Sequence, residues 1–111
     1  MTAPVSAAEY TRRVLEAYRA TPGTCGVARR PDRAFALQLF ARGVPLAAVE
    51  NAMVLACARR LARPAEAAPL GVIRSLAYFS PVIDEVLELR VSDDYFQYLR
   101  QRLARFLRQP L

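Results

Sequence analysis

LAAVENAMVLACA, residues 46–58, is the stretch that decides the fold of this chain. Glu50 and Asn51 are its only polar side chains. A helix that is apolar nearly all the way round belongs in the middle of a bundle, and this run is shorter than the roughly 20 residues that cross a bilayer. We therefore predict a buried central helix around which the rest of the chain packs.

The composition agrees with a small helical protein. The chain has 111 residues, 54% of them hydrophobic, and lacks the strand-like alternation of polar and apolar residues. That length suits one domain with one core. We predict an all-α, single-domain bundle of five or six helices over residues 6–111, after a loose tail at residues 1–5. The N-terminus shows no signal peptide or transmembrane anchor, so we expect a cytoplasmic protein.

The first helix has a clear start in the sequence. Ser6 and Glu9 form the S-x-x-E pattern of a capping box, and apolar residues then recur at helical spacing to about Ala20. Glu9 stands four residues before Arg13, an order that favours an ion pair along the helix. Residues 21–30 contain proline and two glycines without periodicity, which predicts a loop.

The second helix is predicted to begin at Asp32, a good N-cap residue, and to end at Gly43. Its apolar residues are Phe35, Leu37, Leu39 and Phe40. Val44 and Pro45 restart the chain at once. Two helices joined by so short a turn have the outline of a helix-turn-helix pair.

The central helix is poorly suited to recognising DNA bases. The residues that such a unit presents to the groove are Ala47, Ala48, Glu50 and Asn51. Base-reading side chains are usually Arg, Asn, Gln or Lys instead. The alternative is a pair of packed antiparallel helices. If Glu50 and Asn51 are buried, each needs a partner, and we expect an arginine from another helix.

The C-terminal half begins with an alanine-proline connector at residues 64–69. A helical stripe then runs from Leu70 through Val72, Leu76, Phe79, Ile83 and Val86. Because the stripe passes through Pro81, it predicts one kinked helix or two helices nearly in line, and the acids that follow favour a break at Ser80.

The last helix is predicted to open at Ser92, Asp93 and Asp94. Its apolar side gathers Tyr95, Phe96, Leu99, Leu103, Phe106 and Leu107. The other side carries four arginines, Arg100, Arg102, Arg105 and Arg108. This is the most clearly amphipathic helix of the chain.

Arginine dominates the charge. The net charge is +6, and all sixteen basic residues are arginines. Residues 1–63 and 95–111 are net positive and residues 64–94 net negative, so the acidic segment can be neutralised within the fold or across a subunit boundary. The guanidinium groups of arginine are suited to binding phosphates and carboxylates, which indicates a nucleic acid or an acidic partner. The alternative explanation of the arginine excess is a GC-rich genome and plain solubility.

Little in the chain suggests catalysis. Histidine is absent, which removes the commonest general base and zinc ligand. Cys25 and Cys57 have no metal-binding spacing and are expected to be reduced thiols. The acids Asp84, Glu85 and Glu88 resemble a solvated helix face. We expect no enzyme activity, catalytic residue, metal site or cofactor.

The favoured hypothesis is an accessory protein that binds the nucleic-acid backbone, most simply DNA, without chemistry of its own. Seven arginines in two patches are the predicted phosphate contacts: Arg59, Arg60, Arg63, Arg100, Arg102, Arg105 and Arg108. The alternative is a helical interaction or oligomerisation module that docks on a larger recombination or replication protein or on a second copy. No membrane partner is expected.

One short pattern resembles a known family. Val49, Ala52 and Ala56, followed by Ile73, Tyr78, Val82 and Ile83, are similar to the helical C-terminal domain of DnaD-type primosome and replication-initiation proteins. The tryptophan position of that family is Val86 here. The phrases RGVPLAAVENA and IRSLAYFSPVI are similar to small bacterial proteins of mobile genetic elements. Both resemblances imply a role in DNA replication, recombination or transposition.

Overall fold

A computed structural model of the chain describes residues 5–89 and 93–108, apart from the side chains at 89, 93 and 106–108. Five α-helices and one 3-10 helix follow each other in the order α1 (Ala7–Ala20), α2 (Arg30–Ala41), α3 (Leu46–Leu61), the 3-10 helix (Leu76–Phe79), α4 (Ser80–Leu89) and α5 (Asp93–Arg108). The described residues contain no strand. The predicted all-α bundle is confirmed.

Helix α3 is the centre of the bundle. It packs against α1, α4, α5 and the 3-10 helix, and Val49 and Ala52 have no exposed surface. Its small side chains allow its neighbours to approach closely. The buried central helix that residues 46–58 predict is therefore present, extended by one turn to Leu61.

Helix α1 begins at the predicted cap residue, Ser6. The Ser6 hydroxyl accepts a hydrogen bond from the Glu9 backbone N–H at 3.1 Å. The predicted partner of Glu9 is wrong, because its carboxylate pairs with Arg12 at 2.7 Å. Arg13 is drawn instead toward Glu50 of α3, 3.9 Å away. Side-chain pairing along α1 is thus partly decided by the neighbouring helix.

Asp32 is not the N-cap that the sequence predicts. Helix α2 begins two residues earlier, after Arg29, and the Asp32 carboxylate reaches back to accept the Arg29 backbone N–H at 2.8 Å. Its other oxygen accepts the Leu76 backbone N–H, also at 2.8 Å. Only 3% of Asp32 is exposed. One buried carboxylate therefore joins the start of α2 to the start of the 3-10 helix.

The turn between α2 and α3 is built as predicted around Gly43. Its φ is +75°, a conformation that glycine adopts without strain. The N–H groups of Gly43 and Val44 donate to the carbonyls of Phe40 and Leu39, which closes α2 with a Schellman motif. Helix α2 packs on α1 and the 3-10 helix. The antiparallel packing of α2 along α3, the alternative arrangement, is not seen in the described residues.

The helical stripe predicted from Leu70 is wrong as far as residue 75. Residues 70–75 are not helical, and Leu70 and Val72 are exposed. Ile73 alone is buried, because its backbone N–H donates to the Gly23 carbonyl and its carbonyl accepts from the Cys25 N–H. The break at Ser80 is confirmed, since the 3-10 helix ends there and α4 begins.

Helix α5 packs mainly on α3. Phe96 is fully buried and fixes the first half of α5, whereas Tyr95, predicted to lie on the apolar side, is 45% exposed. The predicted cap at Ser92 and the side chains of Phe106 and Leu107 lie outside the described part of the chain. None of the helices within that part is both long and apolar enough to cross a membrane.

Candidate nucleic-acid interface

The two polar residues of the central helix both have arginine partners. Arg100 of α5 donates from Nη2 to the Asn51 Oδ1 at 2.6 Å, and Arg13 of α1 lies 3.9 Å from Glu50. The expected arginine mates from other helices are thus present. Asn51 is buried, as is Ala48. Two of the four residues that a helix-turn-helix unit directs at DNA, Ala48 and Asn51, are therefore turned into the protein.

The three arginines at the end of α3 bond within the chain. Arg59 makes two hydrogen bonds to the Glu85 carboxylate of α4. Arg60 donates to the Gly71 carbonyl at 2.8 Å and lies over the Tyr78 ring. Arg63 donates to the Ala68 carbonyl at 2.7 Å. The three arginines predicted to contact phosphates therefore bind the segment after α3 and helix α4 to the central helix.

Two arginines of α5, Arg100 and Arg102, have neutral partners. Arg100 contacts the Asn51 amide, and Arg102 donates to the Tyr98 hydroxyl at 3.2 Å and lies over its ring. Arg105 is exposed, and the side chain of Arg108 lies outside the described set. No acid of the described residues forms an ion pair with Arg100, Arg102 or Arg105. Their charges are thus available to an external anion.

One cleft is lined by a single arginine from each of the two predicted patches. It lies between α3 and α5, has a volume of about 390 Å³ and carries Arg59 and Arg102 at its edges. Four leucines, Leu55, Leu61, Leu99 and Leu103, are among the other lining residues. Because Glu85 already pairs with Arg59, only Arg102 brings an uncompensated charge. The cleft is chiefly apolar, and the predicted patches do not form one basic surface there.

Two of the six acids of the acidic segment are paired with arginines of the same chain. Asp84 lies 3.6 Å from Arg42, and Glu85 is held by Arg59. Hydrogen bonding to Arg59 lowers the pKa of the Glu85 carboxyl, which keeps it ionised. Of the two outcomes that the charge pattern leaves open, these pairs favour neutralisation inside one chain.

A different cluster of arginines surrounds a groove between α1 and α2, which sequence reasoning missed. The groove has a volume of about 340 Å³ and is lined by Ala8, Arg12, Leu15, Arg19, Ala28, Arg29, Arg30 and Arg33. Arg12 is compensated by Glu9 and Glu16. The other four arginines form no ion pair with any acid in the described parts of the chain. We call Arg19, Arg29, Arg30 and Arg33 the arginine groove.

The local structure explains why these charges gather. Helix α1 ends just past Arg19, the loop doubles back, and α2 starts at Arg30 beside α1. Asp32 is the nearest acid in the sequence to Arg29, Arg30 and Arg33, but its two oxygens are turned inward to backbone N–H groups. The signal in the sequence was the run Arg29, Arg30 and Arg33 at the loop–helix junction.

Other chemistry is sparse. No three residues of the kinds that bind metals lie together in residues 5–89 and 93–108. Both cysteines are free thiols. Burial raises the pKa of Cys57, whereas hydrogen bonding with the Val27 backbone lowers the pKa of Cys25.

Comparison with protein-family models, curated proteins and solved structures found no significant match to this chain. The resemblance to DnaD-type proteins stays a prediction. Of the residues that carry it, Val49, Ala52 and Ile83 are buried in the core, and Tyr78 lies at the surface under Arg60.

Proposed function

We propose that this protein binds the phosphate backbone of nucleic acid, most simply DNA, as an accessory factor in replication, recombination or transposition. The arginine groove is the observation that carries the proposal. Four guanidinium groups that pair with no acid of the described residues line one concave surface, and such forks are the side chains best suited to phosphate oxygens.

The charge distribution supports backbone contact over base reading. The four arginines repel one another in the free protein, and phosphates relieve that repulsion while releasing counterions. Asn51 and Ala48 of α3 are buried and unavailable to base edges. The expected binding is therefore strongly salt-dependent and tolerant of sequence.

Fluorescence anisotropy with labelled single- and double-stranded DNA at several salt concentrations tests the proposal. If the groove contacts about four phosphates, the logarithmic salt slope has a contribution of roughly −3.6 for duplex and −2.8 for single strands. The triple variant R19A/R30A/R33A removes three contacts, so its slope becomes shallower by about 2.7 on duplex.

A matched control separates the groove from net charge. The variant R13A/R42A/R59A removes the same number of positive charges, but from arginines that have acidic partners. The proposal expects this control to bind more tightly than the groove variant and to keep more of the wild-type slope. Equal weakening of both variants contradicts a specific role for the groove.

A helical interaction module is the second candidate, and the cleft between α3 and α5 favours it. Half-buried Leu99 and Leu103 leave an apolar surface there, which is suited to a helix from another protein. Light scattering and the DNA titration distinguish the candidates, because a stable dimer that binds no DNA supports the module.

A further inference from the structure

We infer that one molecule of this protein bridges two nucleic-acid segments, with one in the arginine groove and the other on the exposed arginines of α5. The inference rests on the proposed function and adds a second contact surface to it. We define the α5 surface as Arg102, Arg105 and Tyr98, all of which are exposed.

Helix α1 separates the two surfaces. Arg12, Leu15 and Arg19 of α1 line the cavity that holds the arginine groove, on one side of the helix. Ala17 and Ala20 line a cleft on its other side, together with Arg100, Leu103 and Ala104 of α5. At 3.6 residues per turn, Ala17 and Ala20 lie roughly 160° and 100° around the helix from Arg19. The groove and α5 are therefore on different sides of α1.

The α5 surface also faces away from the core. Arg105 follows the fully buried Phe96 by nine residues, which places it about 180° around the helix. Arg102 lies on the flank and is held by the neutral ring and hydroxyl of Tyr98. This contact orders the guanidinium without cancelling its charge, so the surface can accept phosphates and a stacked base.

The spacing between the surfaces permits two polyanions at once. At least α1 and α5 lie between them, each roughly 10 Å across, which gives about 20 Å. The Debye length at physiological salt is about 8 Å, so the two bound segments are largely screened from each other. Duplex DNA has a persistence length of about 50 nm, so a short duplex cannot bend around the protein to occupy both surfaces.

A two-duplex assay tests the inference directly. A duplex of about 12 base pairs is roughly 41 Å long at 3.4 Å per pair, no longer than the 43 Å main axis of the protein. One such duplex carries biotin and another a fluorophore. We expect the wild-type protein to retain the fluorescent duplex on streptavidin, and sedimentation to show two duplexes for each protein chain.

Two charge-reversal variants identify the surfaces. R30E/R33E disables the groove and R102E/R105E disables α5; all four arginines are exposed. Each variant is expected to bind one duplex, with capture of the second reduced at least tenfold. Circular dichroism melts check that both variants fold.

The possible failures differ from one another. If R102E/R105E still captures the second duplex, or the wild type binds only one duplex per chain, bridging through α5 is overturned and the groove remains. A dimer with one binding site per chain gives both results, because its second subunit captures the second duplex. If the wild-type protein binds no duplex and no single strand, the proposed function fails, and bridging fails with it.

Discussion

Replacing Asp32 with alanine should destabilise the protein more than any other change to a charged residue. The carboxylate accepts two backbone N–H groups, from Arg29 and from Leu76, each at 2.8 Å. Hydrogen bonds to a charged group contribute about 1.5–3 kcal/mol each. The Leu76 bond is buried and joins segments 44 residues apart, so Asp32→Ala leaves that donor without its partner.

Those values give an expected loss of about 3–5 kcal/mol in the free energy of unfolding, from two bonds of about 1.5–3 kcal/mol each with incomplete additivity. Small domains are stable by about 5–15 kcal/mol in total, so the loss is a large fraction. Urea unfolding followed by circular dichroism measures it as a lower midpoint at unchanged slope. The melting temperature should fall by roughly 10 °C or more.

Asp84→Ala is the matched control, because it removes a carboxylate from an exposed pair 3.6 Å from Arg42. Surface pairs of this kind contribute about 0–1 kcal/mol. A loss under about 1 kcal/mol for Asp32→Ala, or equal losses for the two variants, refutes the view that this carboxylate connects α2 to the 3-10 helix.

Three further outcomes follow from the contacts. Phe96→Ala removes the fully buried side chain of α5 and should destabilise the protein by about 3–5 kcal/mol in urea unfolding. In thiol labelling of the native protein, Cys25 should react faster than the buried Cys57 and retain its reactivity to lower pH than a free cysteine, because its pKa is lowered; labelling in urea should equalise the two. The hydrogen bonds from Arg59 lower the pKa of Glu85 from 4.5. The Arg59–Glu85 pair therefore stabilises the fold above about pH 4.5, and this stabilisation is lost as the pH falls through the lowered pKa. In thermal melts across that pH range, Glu85→Gln should weaken the acid dependence of stability.

The sequence predicted the features that local chemistry determines. The start of α1 depends on a hydroxyl and a backbone N–H three residues apart, and the end of α2 on a glycine at positive φ. Both signals lie within one helical turn. The central helix was predictable for another reason, since nearly every side of residues 46–58 is apolar.

Contacts between residues far apart in the chain could not be predicted from the sequence. Ile73 is buried by hydrogen bonds with Gly23 and Cys25, so an apolar residue in a helical register lies in an extended segment. Asp32 has the composition of an N-cap but serves a donor far along the chain. In both cases a partner distant in sequence overrides a local pattern.

The same reason explains why the predicted arginine sites differ from the groove. The arginines at the end of α3 and those at the start of α2 look alike in sequence. Only the packing of the helices decides which of them meets an acidic side chain. Arg59 pairs with Glu85 on α4, whereas the arginines around residue 30 pair with no acid in the part of the chain that the structure describes, because Asp32 is turned inward.

A compositional preference for arginine accounts for how many there are but not for what each one does. Arg60 uses both arms of its guanidinium, one on the Gly71 carbonyl and one on the Tyr78 hydroxyl, a geometry that the single ammonium of lysine does not reproduce. An arginine of the groove, such as Arg30, has no such partner among the described residues, and phosphate accepts lysine as a point charge. Lysine replacement should therefore weaken the fold at Arg60 while leaving the fold at Arg30 unchanged and preserving most of the DNA affinity. This difference distinguishes arginines that stabilise the fold from those that bind the ligand. Equal effects of lysine replacement on stability and on DNA affinity at the two positions argue against that distinction.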